Sequence, residues 1–152
     1  MSLDAKVPPP AVAITAAIIM FAIARLTPHV AMPAGLRWLV ALLLLAIGLA
    51  ISVSGAMAFR KARTTLNPTR PEQASSLVNG GIFRVTRNPM YLGLLVVLVG
   101  WSVFLSSAWA LLGVVGFVLY MNRFQIAPEE QALTRLFGSE YEAYKTRVRR
   151  WL

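Results

Sequence analysis

Hydrophobic and polar positions fall in long alternating blocks along this chain, and the blocks predict four membrane spans. Apolar residues run unbroken through 11–26, 36–59, 89–105 and 108–122, with no period-2 or period-3.6 stripe of polar residues inside them. The first block is Ala/Ile-rich and only just long enough to cross a bilayer. The second carries Trp38 near one end and Phe59 near the other, with Gly48, Ser52, Gly55 and Ala56 spaced to let another helix approach closely. The apolar run that begins at Pro89 is too long for one crossing and about right for two. Ser106-Ser107 is its natural turn, Trp101 and Trp109 lie near the interface, and Gly113 and Gly116 open the second arm to packing. A helical hairpin is expected here.

Between the second and third spans lies the one long polar connection, 60–88. It opens with Arg60, Lys61 and Arg63, and Asn67-Pro68-Thr69-Arg70-Pro71 forbids a regular helix there. A short helix is expected over 72–78, then a sharp turn at Asn79-Gly80-Gly81 and an interfacial stretch around Ile82, Phe83 and Val85. Beyond the hairpin, Pro128 is expected to start a helix whose first turn holds Glu129 and Glu130. Gly138 interrupts it, Ser139 caps a second amphipathic helix with Tyr141 and Tyr144, and Arg147 to Trp151 reads as an interfacial terminus. The fold expected is an all-α integral membrane protein: four spans, a cytoplasmic loop and C-terminal amphipathic helices over 128–152, all in one membrane domain, 1–152.

Composition agrees and narrows the chemistry. Of 152 residues, 57% are hydrophobic and only 14% charged, where a soluble domain has about a quarter charged. No cysteine is present, which excludes disulfides, thiolate metal sites and cysteine nucleophiles, and a lone His29 leaves no histidine zinc site. No metal is expected. The net charge of +9 is explained by positive loops on the inner side of a membrane and not by a nucleic-acid partner. Only Arg25 and Arg37 fall on one side, whereas Lys6 and the other cations, from Arg60 through Arg150, fall on the other. Both termini and the long loop are therefore expected in the cytoplasm, on an inner or cell membrane.

That cytoplasmic face also gathers the polar residues able to carry chemistry. Asn88 suits a helix N-cap and Pro89 the first helical position, so the third span should present its positive dipole end beside Arg87. The hairpin returns Asn122 and Arg123 to the same depth, next to the Glu129-Glu130 pair. Arginines with a helix N-terminus can take a carboxylate, while glutamates can take an ammonium or ribose hydroxyls. A zwitterionic ligand fits such a face. Each residue also has an ordinary reading: juxtamembrane arginines set topology, first-turn acids complement a dipole, and Tyr91 can be an aromatic-belt residue.

The stretch Gly81-Ile82-Phe83-Arg84-Val85-Thr86-Arg87-Asn88-Pro89-Met90-Tyr91-Leu92-Gly93 is followed by Pro128-Glu129-Glu130-Gln131-Ala132-Leu133 and by Phe137-Gly138-Ser139-Glu140-Tyr141-Glu142-Ala143-Tyr144. In order and spacing this resembles the isoprenylcysteine carboxyl methyltransferase and phospholipid methyltransferase family, over about the last three-fifths of the chain. The resemblance implies an integral membrane methyltransferase using S-adenosylmethionine on a lipophilic or membrane-embedded acceptor. An isoprenylcysteine-type carboxylate is the first expectation. A phospholipid amine, another small lipophile, or a non-catalytic protein on the same scaffold are the alternatives. By position it implies that Arg87, Asn88, Pro89, Tyr91, Gly93, Glu129 and Glu130 bind the cofactor. Arg87 and Arg123 are the residues it assigns to catalysis, Arg123 near the acceptor. Asn88 departs from the family's histidine. It can bond but cannot titrate, which removes a general base from that position.

Overall fold

A computed structural model describes residues 7–62 and 76–152. Lys6, Arg63, Asn67, Arg70 and the first part of the expected 72–78 helix lie outside the described residues; 76–78 are not helical. The helices are α1 (Pro9–Leu26), α2 (Ala34–Lys61), α3 (Pro89–Phe104), α4 (Leu111–Tyr120) and α5 (Ala127–Arg147). A 3-10 turn, Gly81–Arg84, precedes α3, and a π segment, Met121–Ile126, joins α4 to α5. The described structure is all-helical, as the block pattern predicts. Pro9–Leu26, Ala34–Lys61 and the continuous stretch Leu111–Arg147 are long and apolar enough to cross a membrane, while Pro89–Phe104 is apolar but has 16 residues. At about 1.5 Å per residue α3 measures ~24 Å, short of a typical hydrocarbon core of ~30 Å.

α3 is the centre of the bundle. α2 lies along one side of it, and α1 and α4 pack on the other. Small residues decide the α2 contact. A Cβ on Gly48 would sit 2.6 Å from the Gly93 carbonyl oxygen, and one on Gly100 would sit 3.0 Å from Leu44 Cβ. The two backbones therefore touch, and Ser52 Oγ donates to the Met90 carbonyl across the seam at 3.2 Å. Such small-residue seams are the usual basis of helix association where lipid removes the hydrophobic incentive. The face of α2 read from the sequence as a packing face is one. On the other side, fully buried Met20 fills the space beside Gly113, and Trp101 Nε1 donates to the Ala17 carbonyl at 3.1 Å. Gly116 faces open space, contrary to the packing role expected of it.

The α3–α4 turn sits where Ser106-Ser107 predicts, with Ser106 in the left-handed region at φ 50°. Both serines are buried beneath the α1–α2 loop. Val30 N donates to Ser106 O at 2.7 Å, and the Thr27 and Ser107 hydroxyls lie 3.2 Å apart.

At the other end three expectations change. No break separates the fourth span from the C-terminal helix: the backbone passes through the π segment directly into α5, with Pro128 in its first turn. A π turn widens the helix, and Pro128 needs that room because its ring crowds the carbonyl one turn earlier and supplies no N–H. From Ala127 onward the helix turns polar. Asn88 occupies the N-cap position of α3, but its side chain makes no cap hydrogen bond; it reaches the Arg150 carbonyl instead. The Arg147–Trp151 stretch is not a continuing interfacial helix. Backbone at Val148 is extended (φ −126°, ψ 130°) and carries the chain back to α3. Gly138, with φ 49° and ψ −124°, bends α5, and its second arm packs Tyr141 and Tyr144 on Phe83 and Phe59.

The seam predicts a simple contrast. Gly48→Ala should lower stability in detergent by about 1–3 kcal/mol, because backbone cannot yield to the added methyl. Gly116→Ala, into open space, should leave the unfolding temperature unchanged or raise it. Thermal unfolding of both variants checks this.

Candidate functional site

Three segments distant in sequence meet where α3 begins: 86–91, 122–130 and 148–151. Pro89 starts α3 and buries itself against the α2 seam near Gly55, which leaves Arg87 and Asn88 directed away from the bundle core. The chain leaving α4 passes Asn122 and Gln125 in the π segment and then presents Glu129 and Glu130 on the first turn of α5. The returning segment 148–151 is held by main-chain bonds. Arg87 N donates to Arg149 O at 3.0 Å, while Asn88 Nδ2 and Thr86 Oγ1 donate to Arg150 O at 2.9 and 3.3 Å.

The two neighbouring glutamates have different surroundings. Glu130 lies between two arginines. Arg87 Nη2 approaches Oε1 at 2.8 Å, and Arg150 grips both oxygens, Nε to Oε1 at 3.1 Å and Nη2 to Oε2 at 2.6 Å. The Arg87 and Glu130 side chains are 11% and 15% exposed, Arg150 35%, so the first pair is largely withdrawn from water. Hydrogen bonding to Glu130 raises the pKa of Arg150 above its usual value, against a smaller opposing effect of burial. Arg87 also donates from Nη1 to the Lys145 carbonyl at 3.3 Å, and its buried Nε has no partner among the described residues. Asn122 Oδ1 accepts from Trp151 Nε1 at 3.0 Å, with Arg150 Nη1 at 3.5 Å.

Glu129 points inward. It accepts from the Tyr91 hydroxyl in a short hydrogen bond and from Gln125 Nε2 at 2.6 Å. Burial pushes its carboxyl up to about 7, although the bonds from Tyr91 and Gln125 work in the opposite direction. Tyr91 is buried in the core of the bundle, and its hydroxyl connects that core to the polar cluster.

The structure thus gathers Arg87, Asn88, Tyr91, Glu129 and Glu130 and sets three other sequence candidates apart. Gly93 is closed over by Gly48 and Ser52 of α2 and serves helix packing. Pro89 meets Gly55. Arg123 is exposed and stands off the cluster, its guanidinium 5.6 Å from the Phe124 ring centre. Sequence reasoning passed over Gln125, Arg150 and Trp151. Gln125 is almost fully buried, but it follows Asn122 and Arg123 closely in sequence and nothing local marked it. Nothing local marked Arg150 among its basic neighbours. Beside the cluster a cleft of about 440 Å³ opens between the two arms of α5, lined by Glu130, Gln131, Thr134, Arg135, Glu142 and Lys145 along with Ala127. Thr134 Oγ1 bonds Glu142 Oε1 at 3.1 Å across it.

A family model described as phospholipid methyltransferase matches residues 36–140, which contain the hairpin, the Arg87 stretch and both glutamates. The chain belongs to the phospholipid methyltransferase family. An uncharacterized protein of Haemophilus influenzae is 52% identical over 63 residues, 41% of this chain and 100% of that protein. Two proteins named probable protein-S-isoprenylcysteine O-methyltransferase, from the indica and japonica subspecies of Oryza sativa, are each 38% identical over 80 residues. That match covers 51% of this chain and 40% of each rice protein, so the chain spans less than half their length. No solved structure matches the chain. Membership makes this a membrane protein of a methyltransferase family.

Two consequences follow for stability. Glu130→Ala leaves Arg87 buried without its partner and should cost about 3 kcal/mol, whereas Glu142→Ala, in an exposed pair with Lys145, should leave the unfolding midpoint nearly unchanged. Denaturation of the two variants in one detergent measures the difference. The Glu129 carboxyl titrates near 7 in the folded chain and at the ordinary 4.5 when unfolded. Between those values the folded state holds the extra proton, so this stabilisation is complete below about pH 4.5 and is lost as pH rises through about 7. Stability should fall by about 3 kcal/mol from pH 4.5 to above 7, and Glu129→Gln should flatten that slope.

Proposed function

We propose that the protein transfers a methyl group from S-adenosylmethionine to a lipophilic acceptor at the membrane boundary, and that the acceptor group is a carboxylate. The observation that carries this reading is the convergence of Arg87 and Glu130 with the cleft of α5 at the open end of the hairpin, in a chain of this family. The residues suit the cofactor's charges. Arg87 keeps a buried Nε without a partner, a donor for an acceptor atom of the ligand. Lys145 and Arg135 in the cleft complement a carboxylate, and Glu130 and Glu142 an ammonium or hydroxyl. When bound, S-adenosylmethionine supplies a methyl group made electrophilic by its sulfonium.

The chain's part is binding, alignment and exclusion of water. Arg87 and Glu130 hold the polar ligand, and Asn88 fixes the segment that carries Arg150. Arg123 stands exposed beside Phe124, where a cation can meet the acceptor's carboxylate. A carboxylate is already ionised at neutral pH, so this chain need move no proton for it, and an untitratable Asn88 is no handicap. The names of the rice relatives support a carboxylate acceptor. A phospholipid amine is the second reading, favoured by Glu129: a carboxyl pushed to about 7 suits a proton acceptor near neutral pH.

Orientation belongs to the same proposal. Arg60, Lys61, Arg84, Arg87, Arg123, Arg135, Lys145, Arg147, Arg149 and Arg150 share the site's side, and Arg25 and Arg37 the opposite one. By the positive-inside rule the site faces the cytoplasm.

Calorimetry in detergent should show binding of S-adenosylhomocysteine, weakened about tenfold or more by Arg87→Ala, in line with a lost charge-assisted bond. Arg123→Ala should keep that binding and lose transfer of labelled methyl to isoprenoid acids. Absence of binding by the wild-type protein overturns the proposal; label appearing on lipid amines instead selects the second reading.

A further inference from the structure

Segment 148–151 lies outside the three motifs, yet its Arg150 makes two of the three hydrogen bonds to the Glu130 carboxylate among the described residues. We infer that Arg150 is a positioning residue: it fixes the Glu130 carboxylate and leaves a single acceptor position on Oε2 for a ligand N–H or O–H. This deepens the methyl-donor reading and rests on it.

The lone pairs of the carboxylate make the case. An ionised carboxylate offers about four acceptor positions, two per oxygen. Oε1 takes Arg87 Nη2 and Arg150 Nε, and is full. Among the described residues, Oε2 takes only Arg150 Nη2, at 2.6 Å. Three positions are therefore filled, and the open one belongs to a side chain that lines the cleft. With Arg87 alone the carboxylate would still turn about its last torsion, because a single contact does not set its plane. The fork of Arg150, bonding both oxygens, does set it.

Arg150 is itself placed from three directions. Its carbonyl receives Asn88 Nδ2 and Thr86 Oγ1, and the preceding carbonyl receives Arg87 N. Buried Val148 anchors the segment's start in the Phe83, Tyr141 and Tyr144 cluster, and Trp151 ties its end to Asn122. Thr86-Arg87-Asn88 is consequently the dock of this segment. A ligand that draws on Glu130 thereby senses residues from α3, the π segment and the end of α5.

The test uses the full-length protein in detergent, S-adenosylhomocysteine as probe, and hydrogen exchange as a readout that needs no ligand. Arg150→Ala should weaken the probe about tenfold or more. Arg150→Lys keeps the charge but not the fork, and should recover only a small part of that loss. Asn88→Ala leaves every charge in place; it should speed exchange in 148–151 and weaken the probe in the same direction. Wild-type affinity in Arg150→Ala overturns the inference, and so does faster exchange in Asn88→Ala with affinity unchanged. If Arg150→Ala does not fold, wild-type affinity in Arg150→Lys overturns it equally. A wild-type protein that fails to bind the probe overturns the methyl-donor reading and this inference with it.

Discussion

A carboxylate at the rim of an apolar bundle has to be paired, and much of the architecture at the site's end of this structure answers to Glu130. Isolated charge withdrawn from water costs several kcal/mol, more than any one helix contact here returns. Two arginines from opposite directions in the sequence meet that demand, one from the start of α3 and one from beyond the end of α5. The pairing joins segments whose contact would otherwise depend on loops. It also turns a cost into specificity, because the carboxylate is satisfied only when all three segments are in register.

The apolar half of the molecule serves the same geometry. α3 is the shortest of the candidate crossings and carries the site at its first residues, so its depth and tilt fix where Arg87 stands. Those are set by direct backbone contact with α2 at Gly48, Gly93 and Gly100 and by Pro89 against Gly55. On the returning arm, the π segment rotates the helix where Gln125 turns inward and lets Pro128 follow without a break. Consecutive helical residues point about 100° apart, so Glu129 and Glu130 face different sides, one to Tyr91 and the core, the other to Arg87 and the cleft; the residue inserted by the π turn sets which sides those are.

Much of this was legible in the sequence, because it depends on block hydropathy and on small residues at helical spacing. The spans, the serine turn, the α2 seam and the meeting of Arg87 with the glutamates all follow from such local signals. What escaped depends on long-range pairing. Asn88 has the residue type and position of a cap, but a partner 62 residues away competes for its amide and wins. Arg150 sits in a basic run that topology alone explains, and only the extended backbone after Arg147 brings it home. Pro128 reads as a helix start because proline usually is one; a π turn ahead of it is not written in any single residue. Gly93 fits the motif and the seam equally in sequence, and three dimensions assign it to the seam.

The two glutamates also bear on which acceptors the chain can serve. Glu130 is held by two guanidinium groups. Burial raises the Glu129 carboxyl, but its Oε1 accepts from both Tyr91 and Gln125, behind the cleft and not in it. Asn88 has no proton to exchange at all. On the proposed methyl transfer, this arrangement suits a nucleophile that arrives already ionised, with the exposed Arg123 available to an anion. Service to an amine would require Glu129 to turn outward from Tyr91 and Gln125, which favours the carboxylate reading of that proposal.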